Sequence, residues 1–243
     1  MLRHINHKKM GRGDHGWLES IHHFSFAGYY NPDNMQFGIL RVLNDDIVAA
    51  GTGFDTHPHK DMEIISYVIE GELTHGDSMG NKRTLSRGEV QYMSAGTGVF
   101  HSEHNLEKKQ LRFLQIWILP DASNHTPDYG DYRFKWEDRE NKWLALVSST
   151  ENKNSPAPIK IHADINIYAT HMTKGHGNVF ESAEGRQAYL VLIEGSANIN
   201  CLKLKAKDAL EIVGENITIK TDDTAHILIL EMAQPEKGQF QGE

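Results

Sequence analysis

Apolar residues fall in short blocks separated by glycine-rich or polar turns. Ile64-Ile65-Ser66-Tyr67-Val68-Ile69, Arg112-Phe113-Leu114-Gln115-Ile116-Trp117-Ile118, Ala188-Tyr189-Leu190-Val191-Leu192-Ile193 and Ile227-Leu228-Ile229-Leu230 are rich in β-branched and aromatic side chains, the types that fit a pleated, half-buried surface. Glu70-Gly71, Asp77-Ser78-Met79-Gly80-Asn81, Arg87-Gly88, Glu194-Gly195 and Val213-Gly214 interrupt the blocks and read as turns. No window of about 12 residues carries a helical 3.6-residue repeat. The pattern predicts an all-β chain, with strands spaced for a sandwich or barrel.

A boundary is expected within 120–160. The stretch from Pro120 to Tyr132 is polar and turn-rich, and Glu151-Asn152-Lys153-Asn154-Ser155-Pro156-Ala157-Pro158 reads as a loop by composition. We read two domains, 1–135 and 136–243. Their sequences echo one another. Tyr67-Val68-Ile69-Glu70-Gly71 is matched by Leu190-Val191-Leu192-Ile193-Glu194-Gly195, which suggests two copies of one β-barrel unit.

Charge and composition remove several function classes. The 243 residues carry 25 Lys and Arg against 33 Asp and Glu, a formal net charge of −8. The pI is near 6.0, a poor match to the basic footprint that nucleic-acid binding needs. No apolar run approaches the length of about 18 residues that a membrane span requires. Met1-Leu2-Arg3-His4-Ile5-Asn6 lacks the apolar core of a secretory signal, so a cytoplasmic protein is expected. The single cysteine, Cys201, excludes an intrachain disulfide framework and a Cys-rich zinc site, and we expect it to be buried and inert. No Walker A loop, dinucleotide fingerprint or nucleophile elbow is present. Lys203-Leu204-Lys205-Ala206-Lys207 reads as an alternating solvent face rather than a nucleic-acid arm.

The 15 histidines stand out, and their placement matters most. Ordered pairs lie within residues 51–105, whereas the second half has only the scattered His162, His171, His176 and His226. In Gly51-Thr52-Gly53-Phe54-Asp55-Thr56-His57-Pro58-His59, two imidazoles sit at i and i+2. On a strand they share a face. Pro58 donates no backbone hydrogen bond, so this strand belongs at an edge or rim. In Gly96-Thr97-Gly98-Val99-Phe100-His101-Ser102-Glu103-His104-Asn105, His101 and Glu103 repeat the spacing. If the two strands are neighbours, three imidazoles and one carboxylate converge. That donor set suits a divalent first-row metal with two octahedral positions left open.

Other residues read more plainly. His104 falls on the opposite face and reads as a non-ligand. His75, within Thr74-His75-Gly76-Asp77, reads as a solvated turn residue. Glu63 shares strand parity with His59 unless a bulge intervenes. His22-His23 reads as rim or core. Phe113, Gln115 and Trp117 read as a core strand with one face available to line a pocket, and Phe54 and Phe100 are candidate pocket walls.

These segments resemble the cupin superfamily and, within it, the pirin family. The first cupin motif, Gly-x5-His-x-His-x3,4-Glu-x6-Gly, is met by Gly51, His57, His59 and Glu63, with Gly71 one residue late. The second, Gly-x5-Pro-x-Gly-x2-His-x3-Asn, is met by Gly88, Gly98, His101 and Asn105, with Ser94 replacing the proline. Thr56 to Glu63, Met93 to Glu103, His15-Gly16-Trp17-Leu18 and Phe24-Ser25-Phe26-Ala27 look specifically pirin-like. The late Gly71 puts the usual cupin glutamate register on Ile64. The resemblance therefore implies Glu103, not Glu63, as the acidic ligand beside His57, His59 and His101.

The resemblance implies a bicupin of two β-barrel, jelly-roll domains, the second without a metal. It implies a metal-dependent dioxygenase that opens a flavonol such as quercetin with release of carbon monoxide, using dioxygen as co-substrate and Glu103 as proton acceptor. The donor set accepts Fe(II), Mn, Ni, Co, Cu or Zn, and the resemblance favours Fe(II). A second implied reading is a non-enzymatic, metal-binding regulator of a protein partner. No nucleic-acid or membrane partner is expected, and a monomer is.

Overall fold

Antiparallel strand pairing organises the chain, as the short β-branched blocks dictate. The computed structural model describes residues 1–235; the end of the expected second domain, 236–243, lies outside the described residues. Among the described residues the only helical turns are the 3-10 turns His7–Lys9 and Trp136–Arg139, and no helix is long and apolar enough to cross a membrane.

The chain divides into two units. One comprises 10–135 with 158–163, and the other comprises 1–9, 136–157 and 164–235. Two short segments thus group with the unit opposite to their position in sequence. For the N-terminal segment the cause is pairing: Leu2–Ile5 adds as an edge strand to Ala209–Val213, with Leu2 opposite Ile212.

In the first unit, a seven-stranded sheet has the order Asp128–Tyr132, Val90–Ser94, Glu63–Glu70, Leu111–Ile118, Leu40–Val48, Leu18–His22, Gly11–Asp14. A four-stranded sheet has the order Thr52–His59, Val99–Asn105, Leu73–Asp77, Lys82–Leu85. The sheets face one another as a jelly roll and do not close into a continuous hydrogen-bonded barrel. Two apolar clusters join them. Leu73 and Leu85 pack with Val48, Val68, Leu111 and Phe113, and Val99 packs with Ile64 and Met93. Between these clusters the interior is polar, and the candidate site occupies that gap.

The second unit repeats this order. Its larger sheet runs Leu2–Ile5, Ala209–Val213, Arg186–Ile199, Ala225–Ala233, Ile165–Met172, Leu144–Ser149. The far end of Arg186–Ile199 continues into a smaller sheet, where it lies between Ile217–Lys220 and Leu202–Lys205, and Gly177–Phe180 flanks Ile217–Lys220. One aliphatic cluster, including Leu190, Leu192, Ile199, Leu204, Ile219 and Ile229, fills its interior. The sequence echo marks equivalent corners. Gly71 has φ 78° and Gly195 has φ 81°. A Cβ would lie 2.6 Å from the Gln110 carbonyl oxygen at the first and 1.9 Å from that of Thr224 at the second. Only glycine meets both demands, a left-handed backbone and a backbone neighbour at that range.

Candidate metal centre

Thr52–His59 is the edge strand of the four-stranded sheet, so Pro58 removes no ladder donor that the sheet needs. Its partner is Val99–Asn105, with His57 opposite His101 and His59 opposite Val99. A bulge between His101 and Glu103 then puts Glu103 opposite Phe54. The imidazoles converge. Ring centroids are 4.9 Å apart for His57 and His59, 4.5 Å for His57 and His101, and 4.9 Å for His59 and His101. Their ligand-capable atoms all lie within 4.8 Å of one another. A second such group, His75, His101 and Glu103, shares His101 with the first.

These imidazoles are suited to a cation. His57 Nδ1 lies 2.7 Å from the Asp55 carbonyl oxygen, so it carries the hydrogen and leaves the Nε2 lone pair free. Buried His59 Nε2 and both ring nitrogens of His101 have no hydrogen-bond partner, a costly arrangement unless something binds there. Burial, together with the neighbouring imidazoles, pushes His59 down to about 4 and His101 down to about 3. Both are neutral near pH 7, as metal ligation requires. The donors present therefore fit a divalent transition metal.

Glu103 is held from three sides. Ser66 Oγ and Gln91 Nε2 each donate to Oε1 at 2.7 Å, and Gln115 Nε2 donates to Oε2 at 2.6 Å. A further donor orients each amide. Tyr129 donates to Gln91 Oε1 at 3.2 Å, and the Trp117 indole donates to Gln115 Oε1 at 3.1 Å. A carboxylate has about four lone-pair positions, so one position, on Oε2, remains. The donors come from a single row across the larger sheet: Gln91 pairs with Ser66, Ser66 with Gln115, Gln115 with Asn44, and Asn44 with His22. Residues directly opposite in register share a face, so one polar row lies under the imidazoles.

A cavity of about 240 Å³ opens beside this cluster. His57, His59 and Glu103 line one part of it, and Phe26, Phe54 and Trp117 supply aromatic wall. Trp117 meets His59 edge-on at 4.8 Å. The remaining wall is polar. Ser20 donates to the Asp46 carboxylate, and His22 Nδ1 lies 3.0 Å from Asn44 Oδ1. Burial pushes Asp46 up to about 7 against the Ser20 hydrogen bond, with Asp45 and Glu103 adding to the rise.

The structure thus brings His57, His59 and His101 together and sets Glu103 beside His101. Several other readings need correction. His75 is not a solvated turn residue. It is buried on Leu73–Asp77, bonded through Nε2 to Asp77 at 3.0 Å and stacked on Tyr129 at 4.5 Å, because that segment continues as a strand beside Val99–Asn105. Phe100 is 55% exposed and lines no part of the cavity, since it alternates outward from His101. Cys201 is exposed, because it sits at the turn between Ile199 and Leu202. Phe54 does line the cavity. Glu63 lies away from the imidazoles, accepting from Ser94 Oγ at 2.7 Å. Gln115 and Trp117 also line the cavity, from the strand read as core with one face available to a pocket. The residues missed were Ser66, Gln91, Tyr129 and Asp46. For Ser66, Gln91 and Asp46 the signal was a polar side chain inside an otherwise apolar strand block; Tyr129 lies in a polar, turn-rich stretch and carried no such signal.

Comparison with known proteins agrees with this architecture. The Pirin family matches residues 4–118 and the quercetinase C-terminal cupin domain matches 146–232. Quercetin 2,3-dioxygenase of Escherichia coli (strain K12) is 41% identical over 95% of this chain and 97% of its own length. A pirin-like protein of Caulobacter vibrioides is 41% identical over 93% of this chain and 97% of its own. The crystal structure of bacterial pirin YhhW in complex with nickel(II), from Escherichia coli, superposes with a TM-score of 0.89 at 38% identity, covering 97% of this chain and 100% of that one. On matched segments at both ends of the chain, and on identity sustained across nearly its whole length, this protein belongs to the pirin family.

Proposed function

We propose that this chain is a metal-dependent dioxygenase of the quercetin 2,3-dioxygenase type, with His57, His59, His101 and Glu103 holding one divalent metal, Fe(II) by preference. The observation that carries the reading is the convergence of neutral imidazole lone pairs beside a fixed carboxylate, at the side of an aromatic-walled cavity. The quercetin relatives and the nickel-bound pirin support the substrate class and a single divalent ion. The C-terminal unit carries no metal in this reading and serves structure.

A bound Fe(II) would supply Lewis acidity and a site for dioxygen. The chain's own residues do the rest. Phe26, Phe54 and Trp117 hold a flat polyphenol by apolar and ring-edge contact and exclude bulk water. Gln91, Ser66 and Gln115 hold Glu103 in one orientation. Its remaining Oε2 lone pair serves the metal or takes the flavonol hydroxyl proton, one at a time. Quercetin and dioxygen together give a depside and carbon monoxide, so no further oxidant or reductant is needed.

The test is aerobic quercetin consumption by protein loaded with Fe(II), Ni(II) or Co(II), with oxygen uptake followed alongside. Loss of quercetin absorbance with matching oxygen uptake is expected. Unchanged absorbance with one metal bound per chain would overturn the substrate assignment and shift weight to a metal-gated binding role.

A further inference from the structure

Glu63 fits the cupin motif yet faces away from the imidazole cluster. It is 1% exposed. Oε1 accepts from Ser94, and Oε2 has no hydrogen-bond partner. Burial pushes this carboxyl up, against the Ser94 hydrogen bond first and then the imidazole of His162, the His162 main chain and the imidazole of His125. His162 and His125 play no part in the proposed dioxygenase.

Those two histidines form a cluster with Asp121. The ligand-capable atoms of Asp121, His125 and His162 lie within 4.8 Å of one another. The His125 and His162 rings stack at 4.0 Å and 10°, and Asp121 Oδ1 lies 2.7 Å from His125 Nε2. Backbone bonds fix the surrounding loop. Asp121 N–H donates to the His162 carbonyl at 2.8 Å and Thr97 N–H to the His125 carbonyl at 3.0 Å. Asn124 N–H donates to Asp61 Oδ1 at 2.6 Å. Gly96 is obligatory here, since a Cβ would lie 1.9 Å from the His125 carbonyl oxygen.

We propose that Asp121, His125 and His162 form a second divalent-cation site, distinct from the imidazole cluster. Two imidazoles and one carboxylate suit a borderline ion such as Zn(II), with a water completing the tetrahedron. Stacked rings cannot both aim in-plane lone pairs at one point, so one imidazole turns about χ2 on binding. The His125 side chain is partly exposed. The ion would tie the returning segment 158–163 to the loop after Leu111–Ile118, and through Thr97 to the approach to His101. The role is structural and independent of the oxidative chemistry.

The test is equilibrium dialysis of the metal-free full chain against Zn(II), with metal and protein assayed together. The wild type is expected to hold about two ions per chain, His57→Ala/His101→Ala about one, and His125→Gln/His162→Gln about one. Asp121→Asn is expected to weaken the second ion at least tenfold. Co(II) added to His57→Ala/His101→Ala should give a tetrahedral d–d band that His125→Gln/His162→Gln abolishes when combined with it. Melting of each metal-free variant checks that it folds. If the imidazole-cluster variant does not fold, the loss of one ion from His125→Gln/His162→Gln alone decides the question. Two ions retained by that variant, or one ion only in the wild type, would overturn the proposal and leave the stacked pair as a proton-sharing contact.

Discussion

The two units follow one strand order and fill their interiors oppositely. Counting back five residues from the matching corner glycines leads to Ser66 in one unit and Leu190 in the other. The row through Ser66 reads Gln91, Ser66, Gln115 and Asn44, whereas the row through Leu190 reads Leu210, Leu190, Ile229 and Tyr168. The smaller sheets differ in the same way: Glu103 pairs with His75 in one, and Ile219 pairs with Ile199 in the other. The aliphatic version packs shut. The polar version gives up that packing and gains a cavity lined with donors. Among the described residues, all three clusters of metal-capable side chains lie in the unit that holds the polar row. The topology therefore permits a site without specifying one, and the row facing the smaller sheet decides.

The comparison breaks most completely if the imidazoles are removed. His57→Ala/His101→Ala should lower quercetin turnover at least about 100-fold and lose the metal held by the imidazole cluster, as measured by oxygen uptake and metal assay. Next in size is importing charge into the closed interior. Ile219 is fully buried among aliphatic side chains, so Ile219→Glu should cost at least about 3 kcal/mol in urea unfolding. A mild effect would mean that the second unit tolerates polarity, and the contrast would fail. A smaller change tests the row itself. Gln115→Met removes the Oε2 donor and frees Glu103 to turn, so metal affinity should fall about 10-fold with little loss of fold.

Acid should sharpen the contrast least, but with a definite sign. In metal-free protein, His23 and His59 are held down to about 4 and His101 to about 3, by burial first in each case. Below pH 6.5 the unfolded chain takes these protons and the folded chain does not. Their stabilisation is complete above pH 6.5 and drains away as pH falls toward 4. Asp46, held up to about 7, acts in reverse. Its contribution is complete below pH 3.8 and fades as pH rises through 7. Asp46→Asn removes that compensation, so the Tm of the metal-free variant should fall more steeply between pH 7 and 4.5. The added fall should be a few degrees, given about 2–4 °C per kcal/mol for a chain of this size. A slope equal to that of the wild type would show that Asp46 does not hold its proton.

The strands and the imidazole cluster were legible in the sequence because both are set by local spacing. Strand parity brings His57 beside His59 and His101 beside Glu103 without knowledge of any partner strand. The convergence of donors on Glu103 was not legible. Ser66, Gln91 and Gln115 each stand out as polar inside an apolar block, but they meet only through the register of three strands, which no local pattern reveals. His75 was misread for a related reason. Thr74-His75-Gly76-Asp77 has turn-like composition, yet pairing with Val99–Asn105 overrides it. Residues 1–9 and 158–163 group by long-range contact, which composition does not encode.

That exchange of segments bears on the order in which the protein can be completed as it is made. The unit that holds the imidazole cluster lacks one of its pieces until residue 163 has emerged from the ribosome, well after the unit's main body at residue 135. The strand Leu2–Ile5 has no sheet to join until Ala209–Val213 is synthesised. At about 5–20 residues per second, that N-terminal strand spends about 10–40 s without its partner. Leu2–Ile5, translated long before its partner, is thus among the last strands to be locked in place, and a chain released before residue 163 would leave both units unfinished.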